Sequence, residues 1–352
     1  MITMQDVAIA AGVSIGSVDR ALHGRGEISE RTKRLILEKA DELGYTPNRV
    51  AQALARKSAI HIGVVVETRN SETKFWRDIR AGIDSAAQEL QGGGLEVSWH
   101  NVNKDPRQQT TVLGRLLEQK KIKGIALAVT DPNAIKEVIN RAVDQNIAVM
   151  TFTMDAPLSK RMWFIGQDFT LAGRVAGELM GQFVGGRGQV AIVTGFHSTP
   201  GQRQRLSGFS EEVRAYYPEI EIVGIWENHN RPEKAYTITS EILHVRPDLK
   251  GIYITAAGAF GAARAIKQMK RENEVKLICF DIVDETVDYI KQGVIQASIG
   301  QNPFFQGQTV VETLYDYLVN RRLPKQQCMF MSNDVICRAN IDHYLPKYFK
   351  VP

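Results

Sequence analysis

Cysteine is scarce. Cys279, Cys328 and Cys337 are the only three, widely spaced and odd in number. That argues against a disulfide framework, and the lack of a Cys-x-x-Cys pair argues against a thiolate zinc site, so buried or idle thiols in a reducing compartment are expected. The seven histidines are scattered, with no His-x-x-x-His pair, so neither a metal nor any other cofactor is expected. No apolar run approaches the roughly 18 residues needed to span a bilayer, and no membrane partner is expected. The opening Met1-Ile2-Thr3-Met4-Gln5-Asp6 lacks the basic and apolar regions of a secretory signal, which points to a cytoplasmic location. Excess charge is also modest. The net charge is +5, and residues 1–58 hold nine Lys/Arg against seven Asp/Glu, so charge alone does not announce a nucleic-acid binder.

What is present begins at the N-terminus. Residues 4–11 read as a helix with Val7, Ala8 and Ala11 on one side, and Gly12 permits a sharp turn. Ser14 caps a second helix whose Val18, Ala21 and Leu22 face inward. Ser29 caps a third, with Leu35, Ile36, Lys39, Ala40 and Leu43 along it, and Gly44 stops it. Arg20, Arg25, Arg49, Arg56 and Lys57 fall in the second helix, the loop after it and the segment beyond, so the positive charge is placed where it can meet phosphate. A short stretch at 48–56, opened by Pro47 and rich in Ala, Gln and Leu, is marginal as a free helix.

After residue 58 the texture changes. Strand runs such as Ile60–Val66, Ile147–Phe152, Val190–Thr194 and Lys276–Phe280 alternate with helical patterns up to 305–319. Alternation of this length predicts parallel sheets covered on both faces, and about ten strands are too many for one small open sheet. Two α/β lobes are expected, with ligand at the carboxyl ends of strands in the cleft between them.

Three catalytic patterns fail on context. Gly12-Val13-Ser14-Ile15-Gly16 matches a nucleophile elbow, which needs a strand before the serine, where this chain has a helix. Gly195 to Gly201 mimics a phosphate loop, but Gln202-Arg203 replaces the required Lys-Ser/Thr. Gly186-x-Gly188 is too short for a dinucleotide fingerprint. No catalytic residue is expected.

The chain resembles the LacI/GalR family of bacterial transcription regulators along essentially its whole length. Asp6-Val7-Ala8-x-x-Ala11-Gly12-Val13-Ser14 with Val18-x-Arg20 resembles the family's head, and Gly44-Tyr45-x-Pro47-Asn48-Arg49-Val50-Ala51-Gln52-x-Leu54-Ala55 its hinge. Asp155, Gly166-Gln167-Asp168, Arg205-x-x-Gly208-Phe209, Phe280-Asp281 and Gln301 resemble the family's sugar-binding body. The resemblance implies a helix-turn-helix DNA-binding head at 1–47, a hinge helix and linker at 48–59, and a periplasmic-binding-protein-like body with Rossmann-like lobes. Those lobes would be 60–168 plus 302–329 and 169–301 plus 330–352.

It also implies a homodimer on a palindromic double-stranded operator. Ser14, Ile15, Gly16, Ser17 and Arg20 would lie at the major groove, with Asn48, Arg49, Ala51 and Leu54 in the hinge and Leu54 wedged into the minor groove. Ile15 can touch only an apolar edge, Gly16 reads nothing, and Asp19 near phosphate is unfavourable, so no family operator transfers. For the effector, Phe75 and Trp76 would stack on a ring, and Asp155 and Asp281 would accept hydroxyls. Arg205 and Gln301 would donate from the opposite lobe. Thr255 opens Thr255-Ala256-Ala257, where sugar binders often place Asn-Asp, so beside a plain sugar a sugar acid, a polyol or a phosphorylated sugar stays open. The resulting expectation is a sugar-controlled repressor of carbohydrate-related genes, not an enzyme. A solute-binding protein without DNA function and a sugar-processing α/β enzyme are the competing readings.

Overall fold

A computed structural model describes residues 2–23, 28–45, 59–67, 73–103 and 105–345. The head is three helices: α1 (Met4–Ala11), α2 (Ile15–His23) and α3 (Glu30–Glu42). Thr3 starts α1 through a capping box, its Oγ1 accepting from the Asp6 amide while the Asp6 carboxylate accepts from the Thr3 amide. Gly12, at φ 64°, makes the left-handed turn that stops α1. Val7, Ala8, Ala11, Val18, Ala21, Ile36 and Ala40 form the buried core, with Leu22 packed against it. Of the apolar residues along α3, Ile36 and Ala40 enter this core, while Leu35 and Leu43 are 40% and 37% exposed.

The body contains two six-stranded sheets. The first, ordered β11-β5-β4-β3-β1-β2, uses β1 (Ile60–Glu67), β2 (Leu95–Val102), β3 (Ile122–Leu127), β4 (Ala148–Phe152), β5 (Trp163–Gln167) and β11 (Cys328–Met331). The second, ordered β12-β10-β9-β8-β6-β7, uses β6 (Arg187–Thr194), β7 (Glu219–Glu227), β8 (Leu249–Ile254), β9 (Lys276–Phe280), β10 (Ile295–Gly300) and β12 (Asp334–Ile336). β1–β5 pair in parallel, as do β6–β10, while β12 runs antiparallel to β10. The central strands are buried apolar runs, as parallel strands covered on both faces must be. Fold class and alternation therefore agree with the sequence reading. The two short strands β11 and β12 were absent from it, because segments of four and three residues are too short to show a periodicity.

The helices of the body are α4 (Lys74–Gln91), α5 (Pro106–Leu117), α6 (Pro132–Asp144), α7 (Phe169–Val184), α8 (Pro200–Tyr216), α9 (Pro232–Val245), α10 (Ala259–Gln268), α11 (Val287–Lys291) and α12 (Pro303–Asn320). Asp131, preceding Pro132, accepts from the amides of Asn133 and Ala134 and so fixes the start of α6. The chain divides into two compact units: Met1–Ser71, Ile79–Ile165 and Phe304–Met329, and then Glu72–Asp78, Gly166–Pro303 and Phe330–Pro352. In the second unit one cluster around Ile252, Ile266 and Leu277 includes residues of α9 and α10. Another around Phe209, Tyr253 and Ile278 includes residues of α7 and α8. α7 and α8 cross closely: a Cβ at Gly173 would lie 2.1 Å from the Arg205 carbonyl oxygen, and one at Gly208 2.1 Å from that of Thr170. Backbone contact at this crossing fixes the height at which Arg205 leaves α8.

Candidate functional site

Two surfaces follow from this architecture, one on the head and one in the second unit. On the head, α2 buries Val18 and Ala21 and turns its first residues outward. Ser14 is the cap: its Oγ accepts from the Ser17 amide at 3.2 Å and lies 3.0 Å from the Ser17 hydroxyl. Ser14, with helix on both sides, therefore serves the turn. Ile15 is 44% exposed, and Gly16 and Arg20 are exposed. Arg20 donates to the Ser17 hydroxyl at 3.3 Å, a long bond on an exposed face that a stronger acceptor can replace. Ser14, Ile15, Gly16, Ser17 and Arg20 thus share one accessible helix start, suited to a major groove. Asn48, Arg49, Ala51 and Leu54 lie outside the described residues, as do Arg25, Pro47, Arg56 and Lys57.

In the second unit, four predicted residues converge. Asp281 follows β9 in a left-handed conformation, φ 59°, unusual for a residue with a side chain. Its amide donates to the Ile299 carbonyl at 3.0 Å, and its own carbonyl accepts from the Ser298 hydroxyl at 2.5 Å. The carboxylate accepts from the Gln301 amide group at 3.0 and 2.8 Å. Burial raises the Asp281 carboxyl above the usual range, opposed by the neighbouring Arg205 charge and the Gln301 hydrogen bond.

Arg205 is buried, with its Cζ over the Phe280 ring, 3.6 Å from the centroid. It donates to the Thr255 carbonyl at 2.9 Å and to Gln167 Oε1 at 2.6 Å, while its Nε has no partner among the described residues. Thr255 is buried too, its hydroxyl donating to that of Thr194 at 2.7 Å, so it contributes its backbone oxygen to Arg205. Phe75 and Trp76, on the first turn of α4, form an edge-to-face pair with centroids 5.5 Å apart.

Two placements differ from the sequence expectation. Arg205 and Gln301 do not oppose Asp281; all three belong to the second unit. Asp155 belongs to the first, and its carboxylate accepts from Arg161 at 2.7 and 2.6 Å, from the Thr151 hydroxyl at 2.8 Å and from the Ala156 amide at 2.7 Å. Arg161 is buried beside it, so this carboxylate already has four donors where the sequence reading left it open for a hydroxyl. Sequence reasoning assigned no role to Gln167, Lys74 or Asp78. Gln167 is buried, and its amide group donates to the Gly300 carbonyl at 3.4 Å while its oxygen holds Arg205. Lys74 is buried and paired with Asp78 at 2.5 Å. The Lys74-to-Asp78 spacing of four was visible in the sequence; the burial was not.

Among the described residues no helix is long and apolar enough to cross a membrane. A family profile described as "Periplasmic binding protein domain" matches residues 62–322, and one described as "Bacterial regulatory proteins, lacI family" matches residues 3–48. The HTH-type transcriptional regulator DegA of Bacillus subtilis is 28% identical over 212 residues, and catabolite control protein A of Staphylococcus aureus 29% over 212 residues. Each alignment covers 60% of this chain, and the chain spans about 60% of the length of these relatives. Among solved structures, GanP, a glucose-galactose binding protein from Geobacillus stearothermophilus, is 29% identical with a TM-score of 0.72, covering 81% of this chain and 99% of that one.

Proposed function

Since the chain belongs to the periplasmic binding protein domain family and carries a lacI-family regulatory head, we propose that it is a sequence-specific DNA-binding regulator whose body takes a sugar-like effector. It acts as a repressor of carbohydrate-related genes and is not an enzyme. The observation that carries this is the outward first turn of α2, with Ile15, Gly16 and Arg20 exposed above a buried Val18 and Ala21, in the same chain as a sugar-binding fold. A homodimer presents two such turns to a palindromic operator, with Asn48, Arg49, Ala51 and Leu54 joining head to body at the DNA. Arg205, Asp281 and Gln301, with the Phe75–Trp76 pair, hold the effector. Binding of effector alters operator affinity, and the operator alters effector affinity by the same factor.

A gel shift with DNA from upstream of its own operon, at moderate salt and with or without candidate sugars, tests the reading. A sequence-selective shift that a sugar modulates supports it. No selective shift under any of these conditions overturns it, and sugar binding without a shift leaves a solute-binding protein.

A further inference from the structure

Lys74 has no role in the reading above, yet its environment is unusual for a lysine. Its side chain is 6% exposed, on the first turn of α4, immediately before Phe75 and Trp76. A helical Lys–Asp pair at spacing four ordinarily stays in water, since burying an ammonium costs solvation that one carboxylate does not replace. Here the ammonium has one hydrogen-bonding partner among the described residues, Asp78 at 2.5 Å, although it carries three N–H donors. The second buried cation of this unit, Arg205, also keeps an unpartnered donor, its Nε. Both lie within electrostatic reach of the Asp281 carboxylate, which the Lys74 and Arg205 charges favour and the Asp78 charge opposes. Among the described residues, two cations and two carboxylates therefore share the region with no net charge and with spare donors, an arrangement that hydroxyls complete and an added anion does not.

We propose that Lys74, oriented by Asp78, is a specificity-determining residue of the effector site, donating to a hydroxyl or ring oxygen of an uncharged sugar or polyol held by Asp281 and Arg205. This rests on the effector reading given above and narrows it by leaving out sugar acids and phosphorylated sugars. Arg77 adds no uncompensated cation, being paired with Asp284 at 2.7 Å.

The test is calorimetric titration of the full-length protein with D-glucose, D-galactose, D-allose, D-ribose, L-arabinose, myo-inositol, D-glucuronate and D-glucose 6-phosphate. The wild type is expected to bind at least one uncharged member and neither anion. K74M is expected to weaken that binding at least tenfold and to change the affinity ratio between the epimers glucose, galactose and allose. A purely structural lysine would weaken all members alike. K74Q, which keeps a donor, is expected to retain part of the affinity, and it replaces K74M in the comparison if K74M does not fold. A wild type that binds a sugar whose affinity and epimer ratios K74M leaves unchanged overturns the Lys74 assignment alone, and tight binding of D-glucuronate overturns the charge argument. A wild type that binds no member, tested beside an intact operator shift, overturns the effector reading and this proposal with it.

Discussion

Single residues divide into those set for contact and those set to hold them. Arg20 belongs to the first kind, since its hydrogen bond to Ser17 is long and on an exposed face. R20A is expected to lose about 1–3 kcal/mol of discrimination at one operator position, read by gel shifts against single-base variants of the bound site. Asp281 belongs to both kinds. Burial raises its carboxyl, so the folded chain holds this proton more tightly than the unfolded chain does. The cost of ionising it in place is absent below the unfolded carboxyl range and complete above the raised folded value, so its contribution to stability falls as pH rises between the two. D281N is expected to flatten that part of the denaturant-unfolding profile. It is also expected to weaken sugar binding by roughly 1.5–3 kcal/mol, the worth of hydrogen bonds to a charged group, measured by calorimetry. Arg205, Asp281 and Gln301 were picked out by the resemblance to the family's sugar-binding body; Asp281 and Gln301 follow β9 and β10, while Arg205 stands on α8. Gln167 and the Arg161 that occupies Asp155 had no assigned role, because each acts through a side-chain contact that no spacing rule encodes, and for Lys74 the spacing to Asp78 was visible but the burial was not. Arg205 and Gln167, for instance, meet across 38 residues.

At the scale of elements, the alternation of strand and helix was readable, in places to the residue, as with β9 at Lys276–Phe280. Apolar β-branched runs and Asp-Pro starts are strong local signals. The edge strands β11 and β12 carry none, being chosen by the sheet edges they join. The α7–α8 crossing was equally silent, although it decides where Arg205 stands. G173V places two methyl groups against the Arg205 carbonyl, with the nearest approach far below contact distance. It is expected to lower stability by about 1–3 kcal/mol and to reduce sugar affinity beyond that loss, checked by thermal unfolding and titration of the same sample. G208A, on the partner helix, is expected to lower stability through the Thr170 carbonyl in the same way.

For the whole molecule, the proposed coupling is a statement about linked equilibria. A sugar at about one hundred times its dissociation constant is expected to add roughly 2.7 kcal/mol to the stability of the state that binds it, seen as a concentration-dependent rise in Tm. Whatever factor that sugar applies to operator affinity, titrating sugar onto the DNA complex must return the same factor. Operator affinity is also expected to fall linearly on a log–log plot against salt, and R20A to leave that slope almost unchanged if Arg20 meets a base and to reduce it by about one if it meets phosphate.

The bare second position of α2 has one more implication. A methyl group at Gly16 would meet nothing nearer than the Ser14 hydroxyl at 3.8 Å, and replacing a helical glycine with alanine gains about 1 kcal/mol in propensity. Installing a longer polar side chain there leaves the head's packing untouched while giving the reading turn a new base-sensing arm. Under the proposed reading, a single codon change at Gly16 is therefore enough to alter base preference at one operator position, a step open to selection and to engineering alike.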